Sequence, residues 1–482
     1  MDHQQDYYGP GQPGTVNSSA APTPRRPGSL NDPDGRNPFG DGVESQASQR
    51  SVNNGNPFSS PSASRPPSSF DSSSAMGARY EDRGQRYFHS RRVRKGEVEK
   101  PWTKTVDPKE KWVTILPVIG IVIGLGISGL LVWDGMRSVV KHKYCPVLEE
   151  DFSRGFNSDV WMKEVQLGGF GNGEFDMTTA GDENVFVQDG KLIIKATLTD
   201  DKYILQNHTI NLIDDGTCTS TEFKHCVAVT NTNNGNSSIV PPVKSGRINT
   251  KPGAAIKYGR VEVTAKLPEG DWLWPAIWMM PVKDTYGAWP ASGEIDIVES
   301  RGNNYTYPQG GNNIMSSALH WGPSPAQDSW WRTNVKRPAL HTTYSAGFNT
   351  FGLEWSQKYL FTYVNSRLLQ VLYTNFDTRL WERGNFPSAD SNGTWIRNPW
   401  EQGGQNAPFD QKFFLILNVA VGGTNGWFED GVNGKPWLDS SENARKNFWE
   451  ARNQWLPTWK SPQMEVSKVI MWQQCNGDEG DL

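Results

Sequence analysis

From Trp112 to Trp133 the chain reads Trp-Val-Thr-Ile-Leu-Pro-Val-Ile-Gly-Ile-Val-Ile-Gly-Leu-Gly-Ile-Ser-Gly-Leu-Leu-Val-Trp, without one charged side chain. About 20 such residues cross the hydrocarbon core of a bilayer, and a tryptophan at each end suits its two interfaces. The competing reading is a buried helix of a soluble domain. Gly120, Gly124, Gly126 and Gly129 speak against it, because they weaken a water-facing helix yet are ordinary in membranes. Gly120 and Gly124 also fit the small-xxx-small pattern of helix contact. Lying inside the chain, the run reads as an anchor at 112–133 rather than a cleaved leader. It divides the sequence into two parts that must fold separately.

The first part, 1–111, ends in a basic segment. Residues 1–88 are rich in Ser, Pro, Gly and Asn and poor in aliphatics, too little apolar surface to offset ordering entropy, so disorder is expected. Asn-Pro-Phe triplets at Asn37 and Asn56 have the form of adaptor-binding signals for vesicle traffic, although so polar a tail also produces them by chance. Arg91, Arg92, Arg94 and Lys95, then Lys100, Lys104, Lys109 and Lys111, crowd the approach to the span. Lys and Arg accumulate on the cytoplasmic side. The expected topology is therefore single-pass type II, with a cytoplasmic tail, a linker at 134–144 and residues 145–482 lumenal or extracellular, in the secretory pathway or at the plasma membrane. Glycosylation sequons at Asn207, Asn236, Asn304 and Asn392 follow the span, with only Asn17 before it. All four cysteines also follow it, as in an oxidising compartment. They allow three pairings. Cys218 with Cys226 makes a short closure and Cys145 with Cys475 ties the first strand to the last; the alternative leaves Cys145 free or in an intermolecular bridge. A net charge of −4 offers nothing to nucleic acid.

Beyond residue 145 the pattern is β. Val185–Lys195, Gly259–Lys266 and Lys358–Leu372 are short alternating runs punctuated by Gly, Asn and Asp, several with Asp-Gly or Asn-Ser turns suited to hairpins. Few windows show helical periodicity, so two packed antiparallel sheets are the natural solution. A barrel satisfies the same composition; a propeller is disfavoured by the absence of an internal repeat.

The chemistry concentrates at Gly287-Ala-Trp-Pro-Ala-Ser-Gly-Glu-Ile-Asp-Ile-Val-Glu-Ser-Arg-Gly302. In a strand, Glu294 and Asp296 share one face and Ile295 and Ile297 the other. Period two would send Glu299 to the wrong side, but a β-bulge at Ile297-Val298 returns it. Glu294 and Glu299 then lie roughly 13 Å apart at Cα. Their side chains can lean to the roughly 5–5.5 Å separation of a retaining glycosidase pair. A bare acidic strand edge explains an isolated E-x-D-x-x-E equally well. Here Trp272, Trp274, Trp278 and Trp289 precede the acids, an aromatic surface suited to sugar rings.

Trp289-Pro-Ala-Ser-Gly-Glu-Ile-Asp-Ile-Val-Glu-Ser-Arg-Gly-Asn303 resembles the signature of glycoside hydrolase family 16 in its laminarinase-like (β-1,3-glucanase) branch, which keeps the extra residue that lichenase-like relatives lack. Gly168–Phe175, Ser245–Thr250, Trp272–Pro281, Leu319–Gly322, Phe351–Trp355 and Phe414–Gly423 match further segments in the family's order. The resemblance implies a β-jelly-roll of two curved antiparallel sheets, with Glu294 as nucleophile, Glu299 as acid/base and Asp296 between them, hydrogen-bonding the nucleophile and helping keep Glu299 protonated. It carries over Asn172, Arg247, Trp274, Trp278, Trp289, His320 and Asn418 as substrate contacts. For His320 a supporting role in the cleft wall competes with sugar contact, and for Trp278 a core role competes with a platform. Trp330-Trp331 and Trp427-Phe428 either extend the cleft or pack on the surface. The Asn-rich Thr217–Ser238 region departs from the pattern and has no subsite. No cofactor is required; members often hold a structural Ca²⁺, for which no oxygen-ligand cluster marks a place. The implied activity is hydrolysis of internal β-1,3-glucosidic bonds of β-glucan. Transglycosylation in cell-wall remodelling and non-catalytic β-glucan binding remain as alternatives.

Overall fold

The computed structural model describes residues 92–101, 104, 107–138, 142–232 and 238–475. The expectations for the tail at 1–88, including Asn17, Asn37 and Asn56, and for the sequon at Asn236 lie outside these residues.

Glu110–Ser138 is one helix of 29 residues. It overruns the uncharged stretch at both ends, because helical hydrogen bonding does not depend on side-chain polarity and charged ends can continue beyond an apolar core. The apolar side chains from Trp112 to Trp133 are exposed, and the helix is long and apolar enough to cross a membrane.

Past residue 142 the chain is a β-jelly-roll sandwich of two antiparallel sheets. The site-bearing sheet has β1 (Met162–Lys163), β2 (Arg247–Asn249), β3 (Leu273–Pro281), β4 (Glu294–Ser300), β5 (Ile314–His320), β6 (Asn334–Pro338) and β7 (Phe413–Val421), side by side in the order β6-β5-β4-β3-β7-β2-β1. The second sheet places Gly259–Lys266 between Asn349–Trp355 and the long last strand Gln463–Gln474. Alternation explains the layering. In Gly259–Lys266, Val261, Val263 and Ala265 are buried while the residues between them are partly exposed. Ile277, Met279, Ile295, Leu415 and Leu417 of the first sheet and Val261, Val263, Phe351, Leu353, Val466 and Val469 of the second fill one core.

The expected bulge is present. Against β3, Val298 faces Ile277 and Asp296 faces Trp278, so Ile297 is the extra residue. The shift recurs against β5, between Asp296 opposite Ala318 and Glu299 opposite Ser316. The bulge frees the Ile297 carbonyl inside the sandwich, where the Ser317 hydroxyl donates to it at 2.7 Å. Ser317 in turn accepts from Thr362 of the second sheet at 2.8 Å. A polar relay across the core thus fixes the kink. Cys145 is bonded to Cys475 and Cys218 to Cys226.

Candidate active site

Three acids emerge on the outer face of the site-bearing sheet, each beside residues of neighbouring strands. Register puts Glu294 opposite His320, Asp296 opposite Trp278, and Glu299 opposite Ala276. Ala276 is in turn opposite Asn418, and Asn418 opposite Arg247. One row of side chains therefore crosses the sheet from β5 to β2, with the acids on its β4 member.

Each acid has its own surroundings. The indole N–H of Trp289 donates to Glu294 at 2.7 Å and that of Trp274 to Glu299 at 3.0 Å. Burial raises the Glu299 carboxyl above its ordinary value and the Glu294 charge adds to this, opposed by His320, Trp274 and Arg301. Asp296 is only 2% exposed, and burial, then Glu294 and Glu299, push its carboxyl well up. Its close partner is His320, whose Nε2 lies 3.2 Å away, rather than Glu294. That corrects the expected hydrogen bond to the neighbouring glutamate: β5 brings an imidazole to the spot first. The other ring nitrogen of His320 lies 2.5 Å from Asp328. Burial pulls the imidazole pKa down, but Glu294, Asp296 and Asp328 outweigh it and hold His320 well above the ordinary value. Both ring nitrogens of His320 thus face carboxylates.

Aromatic rings flank this row. Trp274 is nearly buried and stacks on Trp427 at 4.8 Å between centroids. The Arg301 guanidinium lies 4.0 Å from the other partner in that stack, the Trp427 ring, and donates to the Trp427 carbonyl at 2.6 Å. The loop carrying Trp427 is fastened by Lys435, whose ammonium is fully buried against the Phe428 carbonyl, Asp430 and Asp439. Trp289 is 38% exposed and 5.6 Å from the His320 ring, which in turn stacks toward exposed Trp330 at 6.3 Å. Trp278 is half-buried on the outer face rather than core, and its indole donates to Asn418 at 2.7 Å.

The remaining expected contacts are heavily engaged within the protein. Arg247 sits 3.1 Å from Glu164, between the rings of Phe170 at 3.9 Å and Trp278 at 4.7 Å. Asn172 donates to Glu174 at 3.1 Å and accepts from Asn425 at 3.0 Å, so its amide braces a loop. Glu174 is raised to about 7 by burial, against the pull of Arg247 and Asn172. Asp328 and Glu164 were not marked by any pattern in the sequence, and Phe170, Glu174 and Arg301 stood there only as members of longer matching segments, without roles of their own. Among the described residues, one group of His, Cys, Asp and Glu side chains is close enough to hold a metal: Glu294, Asp296 and His320, with ligand atoms within 4.8 Å. It is the acid cluster itself.

Residues 218–407 match the family described as Glycosyl hydrolases family 16. A beta-1,3-glucan-binding protein of Penaeus monodon is 39% identical over 331 residues, 67% of this chain and 87% of that protein. Gram-negative bacteria-binding protein 1 of Drosophila melanogaster is 32% identical over 336 residues, 67% of this chain but 63% of its own length, so the chain spans under two thirds of that relative. A glucan endo-1,3-beta-glucosidase of Cryptopygus antarcticus is 31% identical over 314 residues, 64% of this chain and 91% of the relative. By sequence, this chain belongs to glycosyl hydrolases family 16.

Proposed function

We propose that the chain is a membrane-anchored retaining glycosidase that cleaves internal β-1,3-glucosidic bonds of β-glucan. The observation that carries this reading is that Glu294 and Glu299 share one face of a bulged strand in unlike environments. Glu299, with its raised pKa, is suited to hold a proton and donate it to the departing glycosidic oxygen. Glu294 attacks the anomeric carbon as that bond breaks, giving a covalent glycosyl-enzyme. Glu299, now a carboxylate, takes a proton from an entering water whose oxygen displaces Glu294, and both acids return to their starting states. Asp296 and His320 lie together beside Glu294, and Trp274 and Trp289 orient the two glutamates through their indole N–H groups.

The name of the Penaeus monodon relative, a beta-1,3-glucan-binding protein, favours a second reading, glucan binding without turnover. Retention of both glutamates favours catalysis, as does the similarity to a glucosidase. Transfer to a sugar hydroxyl instead of water uses the same intermediate. Incubating the detergent-solubilised full chain with β-1,3-glucan oligosaccharides and weighing the products separates the three. Shorter products are expected; longer ones mean transfer, and unchanged substrate with binding retained means recognition alone.

The helix Glu110–Ser138 and the basic residues before it support a type II orientation. Asn207, Asn304 and Asn392 are exposed on the domain that follows. Endoglycosidase treatment of the cellular protein is expected to remove mass that Asn→Gln changes at these positions also remove. Glycan confined to Asn17 reverses the orientation.

A further inference from the structure

We propose that the disulfide-closed loop Cys218–Cys226 is a positioning device for the Arg247 end of the groove, setting how tightly long glucan chains are held. This rests on reading the groove as a β-glucan site. The loop lies in the region that had no role in the sequence. It grips the segment Glu164–Leu167 at two points. Thr219 exchanges hydrogen bonds with Val165: its N–H donates to the Val165 carbonyl at 2.9 Å and its hydroxyl oxygen accepts from the Val165 N–H at 2.9 Å, while the Leu167 N–H donates to the His225 carbonyl at 2.7 Å. The disulfide holds the Cα atoms of Cys218 and Cys226 at 5.7 Å, so Thr219 and His225 are kept at a fixed spacing.

His225 then reaches the next residues directly. Its ring lies on Gly168, where a Cβ would meet an imidazole carbon at 2.3 Å, and Ser220 holds its Nδ1 at 3.1 Å. Immediately beyond, Phe170 has φ +48°, a left-handed conformation that a residue with a side chain keeps only when its surroundings enforce it. That conformation lays the Phe170 ring on the Arg247 guanidinium. Glu164, on the near side of the gripped segment, supplies the carboxylate to the same arginine and accepts from Asn249 at 2.7 Å. One loop thus acts on two of the three partners of Arg247, Glu164 and Phe170, while Trp278 is held by its own strand. Arg247 stands on β2, three strands from the acids on β4, roughly 14 Å at the usual strand spacing. A short oligosaccharide at the acids does not reach it, whereas a long one does.

The test is calorimetric titration of the full chain in detergent, carrying Glu299→Gln so that bound sugar is not cleaved, with the β-1,3-linked glucose disaccharide and hexasaccharide, alongside kcat and KM on the hexasaccharide with Glu299 in place. His225→Ala is expected to weaken hexasaccharide binding by about tenfold, with KM raised, kcat unchanged and disaccharide binding untouched. His225→Phe, which refills the volume over Gly168, is expected to restore most of the loss. Unchanged hexasaccharide binding in His225→Ala overturns the inference alone, as does equal loss at both lengths, which marks a general folding defect. A chain with His225 intact that binds neither sugar overturns the glucan reading and the inference with it.

Discussion

Glutamine at position 299 is expected to lower kcat on β-1,3-glucan by about 10²–10⁴-fold, the usual contribution of a positioned proton donor. The substitution is nearly isosteric, and its amide oxygen can still accept from Trp274, so the groove should keep its shape and its affinity. The pH profile supplies a second readout. Burial and the Glu294 charge raise the Glu299 pKa, and the donor works only while protonated. Activity should therefore persist below that raised pKa and fall as pH rises through it, and this alkaline limb should vanish in Glu299→Gln. Linkage gives a third consequence. A carboxyl whose pKa is higher in the folded than in the unfolded chain favours folding fully below its unfolded value and loses that contribution as pH rises through its folded one. Near neutral pH the glutamine variant should therefore melt no lower than wild type, and by this contribution higher, the trade of stability for function common at active sites. Glu294→Gln should abolish turnover more completely, since it removes the nucleophile itself. Wild-type turnover in either variant sinks the assignment.

The acid strand was readable because its information is local. One apolar residue too many between Asp296 and Glu299 implies a bulge, and the register shows it at Ile297. The sandwich was readable for the same reason, from alternation such as that of Gly259–Lys266. What escaped is what depends on residues far apart. His320 was a plausible sugar contact from its neighbours in sequence, but Asp328 returns on a turn to hold one nitrogen while the β4–β5 register brings Asp296 to the other. Arg247 carried no sign of Glu164, 83 positions earlier, or of the Phe170 ring against it. The Thr217–Ser238 region had no subsite in the sequence, because the contact of His225 with Gly168 joins residues 57 positions apart and the small size of Gly168 is meaningful only once His225 is placed on it.

The two disulfides should separate stability from recognition. Cys145–Cys475 spans 330 residues of chain and Cys218–Cys226 only 8. In the chain-entropy view, a cross-link destabilises the unfolded ensemble more as the loop it closes lengthens. In that view, replacing Cys145 and Cys475 by serine is expected to cost about 5–6 kcal/mol, against about 2–3 for the short loop. Local structure points the same way. Tyr144–Glu150 buries only Leu148 and joins the domain through its ladder with Gln463–Gln474, so little apolar packing holds it once the bond is gone. Yet this strand belongs to the second sheet, away from the row of groove residues on β2 to β5. The long-range double variant should therefore melt far lower while binding long oligosaccharides normally at low temperature. The Cys218→Ser, Cys226→Ser variant should melt closer to wild type and lose affinity for long chains, because it loosens His225 and through it Phe170 and Arg247. Thermal melts and titrations on the two double variants decide it. Equal melting losses contradict the loop-length account, and unchanged long-chain affinity in the short-loop variant breaks the link from that disulfide to the groove.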